Sequence, residues 1–204
     1  VLRKKAGDIL YFTNGKGSVY TAEITLAEKT KCKLKIIGTE YKEKKHKYYL
    51  HIAIAPTKNM DRFEWFLEKA TEIGIDEITP IICERSERKK IKTERSKRIL
   101  LSAMKQSLRY YLPKINEAIP LSSLLNSTTE SSKYIAHCIE SKKEQLKKIK
   151  LSKNILILIG PEGDFTQKEI NLAIKNKFKA ISLGSSRLRT ETAGVIATHT
   201  INIR

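Results

Sequence analysis

Two stretches near the C-terminal end of the chain share one pattern, in which an apolar run stops at a glycine and a compact turn leads into a predicted helix. The first junction spans residues 155–166 and the second spans residues 180–194. Glycine lets the backbone approach a ligand closely, and the first turn of a helix leaves N–H groups free to bind one. Because the carboxyl ends of parallel strands share one edge of a sheet, the junctions predict a single pocket for a nucleotide-like ligand.

The N-terminal part of the chain has the features of a small β structure. Strands are predicted at 9–12, 18–26 and 31–37, and the turn residues 13–17 between the first two strands are typical of a hairpin. Three strands make a thin sheet, so the segment predicts part of a small barrel. A hydrophilic stretch at 40–47 then predicts a linker.

From residue 48 onward, predicted strands alternate with predicted helices. The strands fall at 48–55, 78–83, 134–138, 155–159 and 180–183, and the helices fall at 61–73, at 93–110, in the basic stretch after 138, and after each junction. This alternation predicts an α/β fold with a mostly parallel sheet flanked by helices. Thr166 and Glu169 fit a capping box, which places 160–165 in the loop just before a helix.

Charge and composition narrow the possible partners. Forty Lys and Arg residues against 22 Asp and Glu residues give a formal net charge of +18, which favours a polyanion and above all nucleic acid. A lysine-rich composition without functional meaning is the alternative. No apolar run is long enough to cross a bilayer and no secretory leader is visible, so we expect a cytoplasmic protein without a membrane partner. The histidines and cysteines lack metal-ligand spacing, so we expect no metal.

The junctions lack the motifs of several common sites. Neither contains the glycine pattern of a dinucleotide fold or the Gly-Lys-Ser/Thr ending of a phosphate loop, and no serine-hydrolase elbow occurs. In the second junction Arg187 and Arg189 precede Thr190 and Glu191, where a guanidinium can clamp a phosphate or bind a base carbonyl. A surface ion pair between Arg189 and Glu191 is the structural alternative.

The combined runs 159–163, 183–184 and 188–193 closely resemble the small-subunit ribosomal RNA uracil-N3 methyltransferase family of the SPOUT superfamily. The resemblance covers nearly the whole chain. Its other matching segments are 1–3 with 7–8, 62–65 with 69–74, 78–80 with 84–86, and 106–109. One departure is Asp164, which stands where the family usually has a second glycine.

The resemblance implies a two-domain α/β protein. Residues 1–43 would form a PUA-like β-barrel that binds RNA, with its first strands missing ahead of Val1. Residues 44–204 would form a SPOUT domain with a deep C-terminal trefoil knot. S-adenosyl-L-methionine would bind among the knotted loops of a homodimer. The substrate would be N3 of a uridine in 16S ribosomal RNA, within the 30S particle.

The resemblance also implies roles for particular residues. Catalysis would involve Arg189, which stabilises charge on the uracil carbonyls, with Glu191 or Glu162 as candidate proton acceptors. RNA would be bound by Arg3, Lys4, Arg109 and Arg187. No metal is needed, because the sulfonium is already an activated donor. The residues expected to bind the cofactor are Ile159, Gly160, Pro161, Glu162, Gly163, Leu183, Gly184, Leu188, Thr190, Thr192 and Ala193.

Two other functions remain open from the sequence. The chain could be a non-catalytic RNA-binding or ribosome assembly factor that kept the fold, which need not bind S-adenosyl-L-methionine. It could also be a related SPOUT methyltransferase acting on transfer RNA.

Overall fold

The computed structural model describes residues 4–44, 46–150 and 152–204. Arg3, which was predicted to bind RNA, lies outside the described residues.

The N-terminal part is an antiparallel sheet of three strands in the order β1-β2-β3. The turn between β1 and β2 is held by the Asn14 side chain, whose Oδ1 accepts the N–H groups of Lys16 (2.8 Å) and Ser18 (3.2 Å). The predicted hairpin and all-β character are therefore confirmed. The strands are β1 (Ile9–Thr13), β2 (Ser18–Ala27) and β3 (Cys32–Tyr41).

The remainder is an eight-stranded parallel sheet in the order β6-β5-β4-β10-β8-β11-β9, with β7 paired to β5. This confirms the predicted α/β fold. Its elements are β4 (Tyr49–Ile54), α1 (Met60–Ile73), β5 (Glu77–Ile82), α2 (Thr93–Gln106), β6 (Lys114–Ile115), β7 (Ile119–Pro120), α3 (Leu121–Ser127), β8 (Ser132–Ala136), β9 (Glu144–Gln145), a 3₁₀ helix (Leu146–Lys148), β10 (Asn154–Ile159), α4 (Gln167–Lys175), β11 (Lys179–Ser182) and α5 (Thr190–Asn202).

The central strand β10 is buried on both faces, as its continuous apolar sequence predicts. Alternate side chains point to opposite faces of a strand. Ile155, Ile157 and Ile159 belong to the core that includes residues of α1 and α5. Leu156 and Leu158 belong to the core that includes residues of α3 and α4. The sheet is therefore packed between two helical layers.

The predicted basic helix after residue 138 is wrong. Glu144–Gln145 pair with β11 as strand β9, and a single 3₁₀ turn follows. Lysines dominate this stretch, and the buried apolar residues Leu146 and Ile149 supply too short an apolar face for a helix. Pairing with a strand distant in sequence therefore decides the local structure. The helix α2 also ends earlier than predicted, at Gln106, and Leu108 adopts a left-handed backbone with φ 53°.

The C-terminal segment packs against the connection between β8 and β10. Strand β11 lies between β8 and β9, and β9 belongs to that connection. The chain after β11 then returns across the sheet, and α5 packs on α1, β4, β10 and the 3₁₀ helix. This strand order and packing are compatible with the predicted trefoil knot, which stays a prediction.

Two polar side chains near the amino ends of the strands, Glu77 and His51, are enclosed by hydrogen-bond partners. Glu77 accepts hydrogen bonds from Tyr49, Lys114 and Asn116 at 2.8, 2.9 and 2.6 Å. Burial alone would raise the pKa of Glu77, but these hydrogen bonds hold it at about 2. His51 is likewise enclosed, between Glu130 and Thr79, at 2.7 Å from each. This edge of the sheet has the character of a structural network.

The C-terminal helix packs closely because of one glycine. A Cβ atom at Gly194 of α5 would lie 2.6 Å from the ring of Phe66, a fully buried residue of α1. Only glycine allows this approach without moving the ring.

We expect Gly194→Ala to destabilise the protein by about 1–3 kcal/mol, because the added methyl group overpacks the contact with Phe66. Urea denaturation measures the change in the free energy of unfolding. Gly38→Ala is the matched control, since its new Cβ would meet only Thr21 at 3.7 Å. Equal stability of the two variants would contradict the packing argument.

Candidate active site

The carboxyl ends of β8, β10 and β11 enclose a cavity of about 690 Å³ together with the start of α5. Its volume is typical of small-molecule sites. The cavity brings the two glycine junctions together, as the sequence predicted. It is lined by Ala136, His137, Cys138, Lys143, Ile159, Gly160, Pro161, Glu162, Asp164, Ile181, Ser182, Leu183, Gly184, Ser185, Ser186, Arg187, Leu188, Arg189, Thr190 and Ala193.

The first junction is a tight turn that leads into a capped helix. The Asp164 N–H donates to the Pro161 carbonyl at 2.9 Å, and the predicted capping box between Thr166 and Glu169 is present. A Cβ atom at Gly160 would lie 3.1 Å from the ring of Phe165, which is completely buried beneath the turn. The turn therefore folds back closely over its own aromatic residue.

Asp164 has a specific role at the position where the family usually has glycine. Its φ of 62° is the left-handed conformation that glycine adopts freely and aspartate tolerates. One carboxylate oxygen accepts the Cys138 N–H at 2.7 Å, and the other accepts the Phe165 N–H at 2.8 Å. Asp164 thus links the first junction to the loop that follows β8, and both line the cavity.

The second junction leaves the backbone open towards the cavity. Gly184 has φ 155°, and no atom lies within 4 Å of the Cβ that a side chain would place there. The junction is tied to the first one by Thr190, which is only 4% exposed and whose hydroxyl donates to the Gly160 carbonyl at 3.0 Å. The two junctions therefore form one continuous wall.

Two exposed guanidinium groups, those of Arg187 and Arg189, stand at this wall. Within the part of the chain that the structure describes, neither side chain makes an ion pair or a hydrogen bond. The alternative ion pair between Arg189 and Glu191 is not formed there. Both cations are therefore available to a ligand that carries negative charge or carbonyl oxygens.

The two predicted proton acceptors lie in different environments. Glu162 lines the cavity, and its Oε1 accepts the Lys58 N–H at 2.8 Å. Glu191 is only 7% exposed, lies outside the cavity lining, and has Arg62 Nε 3.9 Å from its Oε1. Its Oε2 has no hydrogen-bond partner among the described residues. Only Glu162 is therefore positioned to meet a ligand directly.

His137 is a cavity residue that the sequence reasoning missed. The side chain is only 9% exposed, and its Nδ1 has no hydrogen-bond partner among the described residues. Burial lowers the pKa of His137, and the nearby Lys143 ammonium lowers it further, so the ring is neutral at pH 7. Lys143 itself donates to the carbonyls of His137 (2.8 Å) and Ile139 (2.9 Å). The cavity thus holds a buried polar atom that a ligand can satisfy.

Most predicted cofactor residues line the cavity, but some predicted site residues do not. Gly163 faces away, and its carbonyl accepts a hydrogen bond from Arg85 at 2.8 Å. Thr192 lies in the first turn of α5, outside the lining. Besides His137, the sequence reasoning missed Cys138, Lys143 and the serines of the second junction. The end of β8 had been predicted as a strand, but its position beside β10 and β11 was not visible in the sequence.

Two residues predicted to bind RNA make contacts within the protein. The half-buried Arg109 guanidinium donates to the Glu72 and Ile73 carbonyls at the end of α1. Lys4 is exposed, and its Nζ donates to the Ile9 carbonyl at 3.3 Å. The geometry gives Arg109 a structural role, and RNA binding by either residue stays a prediction.

The described residues contain neither a metal-binding cluster nor a membrane-spanning helix. No group of three or more His, Cys, Asp or Glu side chains is arranged to hold a metal ion. No described helix has the length and apolar character needed to span a membrane.

Residues 43–202 match a family profile described as an RNA methyltransferase domain. The chain belongs to this RNA methyltransferase family. Residues 1–37 match a second profile, described as an RNA methyltransferase PUA domain. The matches confirm the family expected from the junction motifs and the PUA-like character of the N-terminal strands.

Several named proteins are similar to this methyltransferase over nearly its whole length. The ribosomal RNA small subunit methyltransferase E of Rickettsia conorii (strain ATCC VR-613 / Malish 7) is 31% identical, over 97% of this chain and 81% of that protein. The crystal structure of a probable rRNA-methyltransferase from Porphyromonas gingivalis is 42% identical, with a TM-score of 0.93. The match covers 98% of this chain and 86% of that one. The crystal structure of a ribosomal RNA small subunit methyltransferase E from Neisseria gonorrhoeae, bound to S-adenosyl methionine, is 28% identical, with a TM-score of 0.88. The match covers 98% of this chain and 85% of that one.

We expect Asp164→Ala to lower the free energy of unfolding by about 1–3 kcal/mol, because alanine loses two hydrogen bonds and is strained at positive φ. Asp164→Asn is the matched control, since asparagine tolerates this backbone and keeps an acceptor oxygen. In urea denaturation, the free energy of unfolding of Asp164→Asn should decrease clearly less than that of Asp164→Ala. Equal losses in the two variants would contradict the role given to the carboxylate and its backbone.

We expect His137 to make the protein less stable as the pH falls. Below the ordinary histidine pKa of 6.5 the unfolded chain takes up a proton that folded His137 does not bind. The free energy of unfolding therefore decreases as the pH falls below 6.5. The decrease ends once the pH is below the lower pKa of His137 in the folded protein. Melting temperatures from pH 7.5 to pH 5 should fall more in the wild type than in His137→Gln. Parallel curves would contradict a buried neutral ring.

Proposed function

We propose that this protein transfers the methyl group of S-adenosyl-L-methionine to N3 of a uridine in 16S ribosomal RNA. The observation that carries the proposal is the cavity built from both glycine junctions, with unpaired guanidinium groups and a buried unpaired imidazole nitrogen. Membership of the RNA methyltransferase family gives the reaction class. The names of the relatives support small-subunit ribosomal RNA as the substrate.

The residues of the cavity fit this cofactor. The open backbone at Gly184, beside Leu183 and Leu188 of the lining, suits a flat adenine ring, and His137 Nδ1 can bond a polar group of the ligand. When bound, the cofactor supplies a methyl group on a positively charged sulfonium, which needs no further activation. The remaining predicted contacts would come from Ile159, Gly160, Pro161, Thr190 and Ala193, while Gly163 and Thr192, which lie outside the lining, would brace the two junctions.

Arg189 and Glu162 would carry the chemistry at the uracil ring. Uracil N3 is a weak acid, so methylation requires removal of its proton and stabilisation of the charge that develops on the carbonyl oxygens. The guanidinium of Arg189, which lines the cavity, would donate hydrogen bonds to those oxygens. Of the two predicted proton acceptors, Glu162 is the one that lines the cavity, so we assign it the role of accepting the N3 proton. Glu191 would brace the start of α5 from its buried position.

We further propose the setting in which this reaction occurs. The protein would act as a cytoplasmic homodimer on the 30S particle, with residues 1–43 as an RNA-binding domain and residues 44–204 as the methyltransferase domain. The exposed strand β3 and the net charge of +18 support RNA contact by both parts of the chain.

We expect Arg189→Ala to lower kcat/KM for methylation at least about 100-fold, because it removes a donor to the developing charge. Labelled methyl transfer to 30S particles, free 16S ribosomal RNA and transfer RNA measures this loss and identifies the substrate. Calorimetry should show cofactor binding close to that of the wild type. Arg98→Ala, an exposed arginine on α2, is the control and should stay fully active.

Near-normal turnover by Arg189→Ala would contradict the assignment of this residue. Methylation of transfer RNA alone would contradict the proposed substrate. A wild-type protein that does not bind S-adenosyl-L-methionine would contradict the proposed enzyme altogether.

A further inference from the structure

A second concentration of positive charge lies beside the cavity, in the irregular segment after β5. We call residues 84–92 together with Lys58 the basic segment. Its six cations are opposed by only two carboxylates, those of Glu84 and Glu87. The cations are Lys58, Arg85, Arg88, Lys89, Lys90 and Lys92.

Hydrogen bonds fix the basic segment to the first glycine junction. Arg85 donates to the Gly163 carbonyl at 2.8 Å, and the Lys58 N–H donates to Glu162 at 2.8 Å. Arg88 donates from two nitrogens to the Lys58 carbonyl, at 2.9 and 3.1 Å. The segment is therefore held in a defined position relative to the cavity, although it has no regular secondary structure.

The segment also makes hydrogen bonds to the helix that follows the junction. The Glu84 N–H donates to Glu169 at 2.8 Å, and the Thr166 hydroxyl donates to the Glu84 carboxylate at 3.1 Å. Glu169 and Thr166 form the capping box of α4. The basic segment is thus bonded both to the glycine junction and to the start of the helix that follows it.

Three lysines of the segment have no partner among the described residues. Lys89, Lys90 and Lys92 are exposed, and their ammonium groups make no ion pair or hydrogen bond there. Lys58 pairs with Glu87 at 2.8 Å. A shallow hollow of about 520 Å³ is lined by Lys58, Glu87, Arg88, Lys89 and Lys90, and Lys92 follows it in the chain. Several like charges around a hollow repel one another, and an anion bound there relieves the repulsion.

We propose that the basic segment binds the phosphate backbone of the substrate RNA and so positions the target nucleotide at the cavity. The proposal rests on the proposed function, because it takes RNA as the substrate. A phosphodiester chain suits these groups, since lysines bind successive phosphates as point charges without reading the base sequence. RNA is favoured over an acidic protein because the segment is bonded directly to the loop that carries Glu162, where the uridine must enter.

The test compares two triple variants that lose the same charge. Lys89, Lys90 and Lys92 are replaced by glutamine in the first. Lys147, Lys148 and Lys150 are replaced in the second, which acts as the matched control. These control lysines are also exposed, and they lie near the C-terminal end of α5, where Arg204 binds the Ile149 carbonyl. No hydrogen bond or ion pair among the described residues joins these three lysines to the first glycine junction.

The first variant should bind a 16S ribosomal RNA transcript roughly tenfold to hundredfold more weakly than the wild type at 0.15 M salt. The slope of log K against log salt concentration should fall by about 2–3, because each lost contact removes close to one unit. The control variant should change neither quantity to a comparable extent. Replacing Lys89, Lys90 and Lys92 by arginine should preserve binding, and calorimetry should show unchanged affinity for S-adenosyl-L-methionine in every variant.

Equal RNA affinity and equal salt slope in the two glutamine variants would overturn the proposal and would favour an acidic protein as the occupant of the segment. The same loss in both variants would also overturn it, since the effect would then be one of net charge alone. Failure of the proposed function has a different signature. In that case the wild type itself transfers no methyl group to the RNA, whatever the variants bind.

Discussion

One buried hydrogen bond, from the Thr190 hydroxyl to the Gly160 carbonyl, joins the two glycine junctions that line the cavity. Gly160 ends the central strand β10, and Thr190 is the first residue of the C-terminal helix α5. A buried carbonyl without a partner costs about 1–3 kcal/mol, so this bond favours one position of the helix start over its neighbours. Arg189, directly before Thr190, gains its place at the cavity from the same contact. The site therefore depends on where the C-terminal helix docks.

Polar side chains at the two edges of the parallel sheet differ in their hydrogen-bond partners. At the amino edge Glu77 and His51 are enclosed by partners, and the carboxyl group is held in its charged form. At the carboxyl edge His137 Nδ1 and the Arg189 guanidinium have no partners among the described residues. Buried polar groups in folded proteins are nearly always satisfied, so the free Nδ1 of His137, which faces a cavity, marks a point where a ligand can bind. The basic segment extends this unsatisfied edge outward.

The sequence predicted those parts of the fold and site that are encoded locally. The junctions end strands and begin helices, and the capping box at Thr166 follows from residues three positions apart. The role of His137 could not be predicted, because it depends on β8 lying between β10 and β11. The strand at Glu144–Gln145 was misjudged for the same reason, since its only pairing partner lies more than thirty residues away. The carbonyl partners of Arg109 at the end of α1 were likewise not visible in the sequence.

The docking of α5 has a consequence for how the chain folds and how it is degraded. Strand β11 can take its place only between β8 and β9, which precede it by more than thirty residues. Its pairing and the docking of α5 bring together groups distant in sequence, which is characteristic of slow folding steps. Once docked, α5 contacts α1, β4, β10 and the 3₁₀ helix together. An unfolding machine that pulls on this helix would therefore have to break contacts with four elements at once.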